Sequence, residues 1–331
     1  MKNNLFYYAT SELSQDAFIC YLLSFAFEKF MKTDKALNNC AKELLGIMLE
    51  REDYNSLVVK DIKKQYKNID VLVELNDGSF IIIEDKTFGS QSNDQINRYR
   101  KTLIEEGVPK DKIFCVYYKI VEQDHPEENI VNITRADLLK IFAKYPSENL
   151  IYNHYAEYLK YIDEDANAFK SDFDIENWRS KYSHVYGGFF THLINSGIVK
   201  TFGNKNDYGW HYVNNKRGGV WVLWWSVLSD VELENMGIGP GPISKLYLQI
   251  EDNHVAVKLR VLENSNRETI KHIRSLLANY FVENVQGFFQ TPLRYGKTLT
   301  VGRIQYDMDN YKNIISLMEN TLKKAKKELE I

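Results

Sequence analysis

An α/β fold built on a mixed sheet, followed by a smaller α+β unit with a largely antiparallel sheet, is what the order of patterns in this chain predicts. Three observations carry that expectation. Helix-period apolar stretches alternate with short apolar runs through the first half. Two of those runs flank Asn76-Asp77-Gly78, a turn signal of the β-hairpin kind. All five tryptophans, at 178, 210, 221, 224 and 225, lie in the second half, as a separately built unit would place them. A length of 331 residues fits two domains, and 44% hydrophobic residues allow each its own core. The expected division is residues 1–168 and 169–331.

In chain order, Ser11 or Ser14 caps a first helix that runs to about Phe30, with Phe18, Ile19, Leu22, Leu23, Phe25 and Ala26 on its apolar face. A second helix covers 35–49. Residues 57–65 read as a strand carrying Lys60, Lys63 and Lys64, which either flank a substrate backbone or decorate a solvated edge. The hairpin follows, then a polar loop at 87–93 and a helix over 94–106, which Gly107-Val108-Pro109 stops. Strands are expected at 112–120 and 129–133, separated by a charged loop containing Pro126. Thr134 caps a helix to about Tyr145, and a tyrosine-rich helix spans 148–162. Beyond the boundary come a helix over 175–194, strands at 209–213, 219–228, 245–251 and 254–262, a helix over 267–285, a strand at 298–305 and a terminal helix over 310–328.

The hairpin carries charges where a buried strand should have none. Its first run opens on Asp70, and the second runs Phe80-Ile81-Ile82-Ile83 straight into Glu84-Asp85-Lys86. Side chains alternate along a strand, so Glu84 and Lys86 share one face and Asp85 points to the other. Asp70 joins Glu84 only if the loop has three residues, with Gly78 left-handed and a G1 bulge; a two-residue Asp77-Gly78 turn would set Asp70 beside Asp85. The bulged form is expected. Two carboxylates and an ammonium on adjacent strands suit Mg²⁺ or Mn²⁺, hard cations that accept oxygen ligands and phosphate. The lysine can orient a water or offset charge on a phosphoryl transition state. The plainer alternative is an edge hairpin with cross-strand ion pairs.

Asp70, thirteen residues, Glu84-Asp85-Lys86, and then Gln95 and Tyr99 at the start of the next helix resemble the PD-(D/E)XK nuclease superfamily, in the RecB-like form with its trailing QxxxY. Ser11-Glu12-Leu13-Ser14-Gln15-Asp16-Ala17-Phe18 is similar to the first-helix motif of one bacterial subgroup, in which an acid joins the metal site. The likeness covers about residues 8–120, and Ile69 stands where the motif has its proline. It implies a restriction-endonuclease-like mixed sheet flanked by helices. It implies Asp70, Glu84, the backbone carbonyl of Asp85, and Glu12 or Asp16 as ligands of Mg²⁺, with Mn²⁺ substituting. Lys86 would be the catalytic lysine, Gln95 would position lysine, water or phosphate, and Tyr99 would brace it. The implied activity is phosphodiester hydrolysis on nucleic acid, DNA first, in phage defence, restriction or repair. A catalytically silent scaffold of the same fold is the other reading.

Composition narrows the remainder. The net charge of -3 is unevenly spread: residues 1–169 hold 21 Lys and Arg against 28 Asp and Glu, whereas 170–331 hold 21 against 17. Only the second half leans toward a polyanion, so DNA or a partner subunit, including a second copy, is expected to engage there. Lys216-Arg217 before Trp221, Trp224 and Trp225 offers a basic turn beside aromatics, and Lys323, Lys324, Lys326 and Lys327 offer a solvated basic helix back. The tryptophans also suit a core. His184, His192, His211, His254 and His272 lack ligand spacing. Cys20, Cys40 and Cys115 read as buried free thiols, and no stretch has eighteen apolar residues in a row, so a cytoplasmic, non-membrane protein is expected.

Overall fold

The structure, a computed structural model, describes residues 3–86, 95–171, 173, 178, 184–202, 206–214, 218–227, 243–262 and 265–329. The predicted loop at 87–93, the start of the helix expected from 175, and Lys216-Arg217 lie outside them. Two compact units are present: Met1–Glu122 with Pro126–Asp165, and Gln123–His125 with Ala166–Ile331.

The first unit is a five-stranded mixed sheet in the order β1 (Val59–Tyr66), β2 (Ile69–Leu75), β3 (Phe80–Asp85), β4 (Ile113–Lys119), β5 (Val131–Thr134). β1, β2 and β3 form an antiparallel meander, and β4 and β5 run parallel to β3. A parallel neighbour demands a crossover, which α3 (Gln95–Glu105) supplies between β3 and β4. On one sheet face α1 (Glu12–Ser24), α2 (Lys35–Leu49), α4 (Arg135–Lys144) and α5 (Leu150–Ala166) bury Val71, Val73, Ile81 and Ile83. On the other, Ile96, Tyr99 and Leu103 of α3 cover Leu72 and Ile82. Being covered on both sides is why β3 is an unbroken isoleucine run.

The hairpin closes as expected. Val71 faces Ile83 and Glu74 faces Phe80, Leu75 N–H donates to Ser79 O at 2.9 Å, and Gly78 N–H donates to Leu75 O at 3.1 Å. Gly78 has φ +79°, the left-handed residue of a three-residue loop with a G1 bulge. That register sets Asp70 opposite Glu84.

Other expectations need correction. The first helix ends at Ser24 rather than near Phe30: Ser24 Oγ donates back to Tyr21 O at 2.6 Å, and Ala26 O is taken by Val59 N–H at 3.0 Å as Phe27 bridges to Val59. Its N-cap Ser11 makes no capping bond. Thr134, by contrast, forms a full capping box with Asp137.

The second unit is not the smaller, since it spans 169 residues against 162; its sheet has six described strands against five. Its sheet is antiparallel as expected, in every described pairing. The order is β10 (Phe289–Gln290), β11 (Thr298–Gln305), β9 (His254–Val261), β8 (Ile243–Glu251), β7 (Val220–Ser226), β6 (Tyr208–Val213). With two residues, β10 has no periodicity to read. α6 (His184–Asn195), α7 (Arg267–Asn284) and α8 (Tyr311–Leu329) pack with the sheet into one core. Trp225 belongs to that core, its indole N–H donating to Glu319 at 2.9 Å, whereas half-buried Trp224 lies under Lys245 at 4.0 Å. Of the four lysines expected on a solvated helix back, Lys324 and Lys327 are exposed, whereas Lys326 is half-buried and burial pulls its ammonium down to about 8. Among the described residues, no helix is long and apolar enough to cross a membrane.

Because Gly78 sets the register on which the acidic residues depend, Gly78→Ala should cost about 1–2 kcal/mol of stability from the left-handed backbone. Open space surrounds the position, so no clash adds to the cost. Urea unfolding of the two proteins measures it.

Candidate metal centre

β3 delivers three consecutive polar residues to the place where β2 and β4 flank its carboxyl end. Glu84 is fully buried, and neither of its carboxylate oxygens has a hydrogen-bonding partner. Its counter-charge is Lys86, whose Nζ lies 2.6 Å from Glu84 Oε1. The same ammonium donates to Asp85 O at 3.0 Å and lies 3.6 Å from Asp70 Oδ2 and 3.9 Å from Glu12 Oε2. Asp70 is locked in turn, since its Oδ2 accepts Asp85 N–H at 3.0 Å. Burial pushes Glu84 up to about 7 against the pull of Lys86, and the Asp70 charge adds to the rise. Lys86 is held above its ordinary range by Glu84, Asp70 and Glu12, which outweigh its own burial.

The side chain of Asp85 points to the other face, as strand alternation requires, and meets α1 there. Gln15 Nε2 donates to Asp85 Oδ1, and Gln15 Oε1 accepts the Tyr155 hydroxyl at 3.1 Å. That hydroxyl also contacts the Tyr118 hydroxyl at 3.1 Å. Asp16 and Asp85 form a carboxyl pair in a nearly dry setting, 1% and 0% exposed. Burial raises Asp85 well above the carboxylate range; burial first and then the Asp70 charge raise Asp16 to about 6. Two such carboxyls share a proton more readily than they ionise together. Gln65 ties the two groups of acids together, its Nε2 donating to Asp16 Oδ2 at 3.1 Å and Asp70 Oδ1 at 3.2 Å.

Each sequence-derived candidate can now be placed. Asp70, Glu84, Lys86 and the Asp85 carbonyl converge. Of the two first-helix acids, Glu12 reaches Lys86, and Asp16 joins through Gln65 and Asp85. Gln95 Nε2 donates to the Tyr99 hydroxyl at 2.5 Å, one helical turn apart on α3. Tyr99 packs on the sheet face of Leu72 and Ile82. Burial raises its hydroxyl, and the charges of Glu84 and Asp70 push the same way. Sequence reasoning missed Gln15, Gln65 and the side-chain role of Asp85. Gln15 was readable, one turn after Glu12 on the same helix. Gln65 was not, because a left-handed glutamine, φ +55°, carries no glycine signal.

The converging donors are all oxygens: carboxylates of Glu84, Asp70 and Glu12, and the Asp85 carbonyl. That set, with two buried Glu84 oxygens lacking a hydrogen bond, fits Mg²⁺ or Mn²⁺ in donor chemistry. Among the described residues, no group of three or more His, Cys, Asp or Glu side chains is placed so that it could hold a metal ion as it stands. Comparison with protein-family models, curated proteins and solved structures gives no match.

The folded chain holds the Glu84 proton up to about pH 7, against 4.5 for the free group. Folded protein therefore carries the extra proton between those values, and stability falls as pH rises through that window. Metal-free Glu84→Gln should thus be more stable than wild type by on the order of 2–3 kcal/mol at pH 8, with the gain vanishing below pH 4.5. Thermal unfolding across pH 4.5–8 in EDTA checks both size and sign.

Proposed function

We propose that this chain is a metal-dependent nuclease that hydrolyses phosphodiester bonds of DNA. The observation that carries the reading is the dry Glu84 carboxylate, without a hydrogen bond, set opposite Asp70 and beside Lys86 at the carboxyl end of a core strand. A protein gains nothing in stability from leaving a carboxylate so poorly solvated, and such groups cluster where chemistry needs them. Support also comes from architecture. A three-strand meander, a crossover helix bearing Gln95 and Tyr99, and a parallel fourth strand are consistent with the order expected from the motifs' resemblance to PD-(D/E)XK nucleases.

In this reading Glu84, Asp70, the Asp85 carbonyl and Glu12 hold the cation. Bound Mg²⁺ or Mn²⁺ supplies Lewis acidity at a phosphodiester oxygen. Lys86, tethered two residues from Glu84 on the same strand face, offsets charge on the phosphoryl group or orients the attacking water. Gln65 fixes the rotamer of Asp70 from behind, and the Gln95–Tyr99 pair holds the α3 side of the cleft. The second unit, the more basic of the two, engages DNA or a partner subunit.

The test is cleavage of supercoiled plasmid, linear duplex, single-stranded DNA and RNA in parallel, with Mg²⁺, Mn²⁺ or EDTA. Metal-dependent cutting of at least one DNA substrate is expected, with Glu84→Ala and Lys86→Ala each losing roughly 10²–10³-fold or more in rate. No cutting of any substrate under any metal would overturn the nuclease reading.

A further inference from the structure

We infer that Lys86 is a built-in stand-in for the divalent cation: without metal its ammonium occupies the cation's place, and metal binding expels it. The inference rests on the ligand assignment above and adds a regulatory step at that same centre.

The geometry is specific. Lys86 Nζ meets Glu84 Oε1 at 2.6 Å, Asp85 O at 3.0 Å, Asp70 Oδ2 at 3.6 Å and Glu12 Oε2 at 3.9 Å. These four groups are the complete oxygen set assigned to the cation, three side chains and one main-chain carbonyl. A lysine serving only to neutralise Glu84 could do so from Glu84's flank. Instead it accepts the one position that all four share, with 16% of its side chain exposed. An ammonium is a compact cation with three donors, and Lys is flexible enough to swing out when a stronger charge arrives.

Two consequences follow. With Lys86 in place, three neighbouring carboxyl groups have a common counter-charge, so the cleft tolerates its own repulsion while metal-free. Divalent affinity is then set by competition: the apparent dissociation constant is the intrinsic one divided by the fraction of molecules in which Lys86 has vacated the position. Expulsion also puts the ammonium where a substrate phosphate would meet it, coupling metal arrival to readiness of the lysine.

The experiment is Mn²⁺ titration by calorimetry of the full-length chain, comparing wild type with Lys86→Met, Lys86→Gln and Lys64→Met. Lys64 is a control because it also lies near the acids, acting on Asp16, while its Nζ is bound to Leu13 O at 2.7 Å outside the shared position. Both Lys86 variants should bind Mn²⁺ about tenfold tighter or more, and Lys64→Met within about threefold of wild type. On the wild type, acetylation of Lys86 followed by peptide mass spectrometry should accelerate when Mn²⁺ is added, which needs no variant to fold. Equal or weaker binding by the Lys86 variants, together with Lys86 reactivity indifferent to Mn²⁺, would overturn the inference; the nuclease reading then survives if Mn²⁺-dependent cutting persists. Expulsion of Lys86 by Mn²⁺ without cutting of any substrate would leave the inference standing and remove the nuclease reading. If no protein binds Mn²⁺, both fall.

Discussion

The carboxylate of Glu84, taken entirely out of water and answered by a single ammonium, is the constraint on which the arrangement of the first unit depends. Desolvating a charge is costly unless partners surround it. Here the chain supplies one close partner, and the other nearby groups are themselves acids. Everything that keeps this tolerable is structural. Asp70 is pinned by the Asp85 N–H, Lys86 is shared among three carboxylates and a carbonyl, and isoleucines on both faces of β3 hold the strand end in place. A desolvated charge of this kind costs folding energy that an exposed ion pair does not.

The end of β3 serves two faces at once. Toward α3 it presents Glu84 and Lys86, next to Asp70 and within the electrostatic reach of Tyr99. Toward α1 it presents the Asp85 carboxyl, in a dry polar chain through Gln15 and Tyr155 to Tyr118. The two faces are not independent. Gln65 bonds to one acid from each side, and the chain turns left-handed at Gln65 near the end of β1 and again at Lys67 and Asn68 before β2. Three such residues without a glycine are uncommon, and strain of this kind collects where a side chain has to be aimed.

How much of this was legible in advance depended on whether the signal was local. The hairpin was, because Asn-Asp-Gly permits a three-residue loop and the buried pattern on both sides forbids a one-residue slip. The bounds of α2 and β11 also came out as read, although a bulge between Thr300 and Gly302 breaks the alternation of the second. The end of α1 was not. Phe25, Ala26 and Phe27 continue a helical apolar pattern, yet a distant strand residue, Val59, claims the Ala26 carbonyl. Trp225 and Lys326 show the same limit, since neither an indole bonded to a buried Glu319 nor a half-buried lysine can be told from its neighbours in a string of letters.

The sequence by itself determined the element order of the first unit, the turn that pairs Asp70 with Glu84, and the alternation that separates Glu84 and Lys86 from Asp85. These follow from strand geometry and turn chemistry acting over fewer than twenty residues. Tertiary structure decided which first-helix acid reaches Lys86, that Asp16 pairs with Asp85 across a dry interface, that Gln15 and Gln65 join them, and that one ammonium sits amid four oxygen groups. Those outcomes depend on how α1 docks against β1, β2 and β3, which lie 35 and more residues away in the chain. Docking is set by the summed burial of many apolar side chains, and no local pattern encodes that sum.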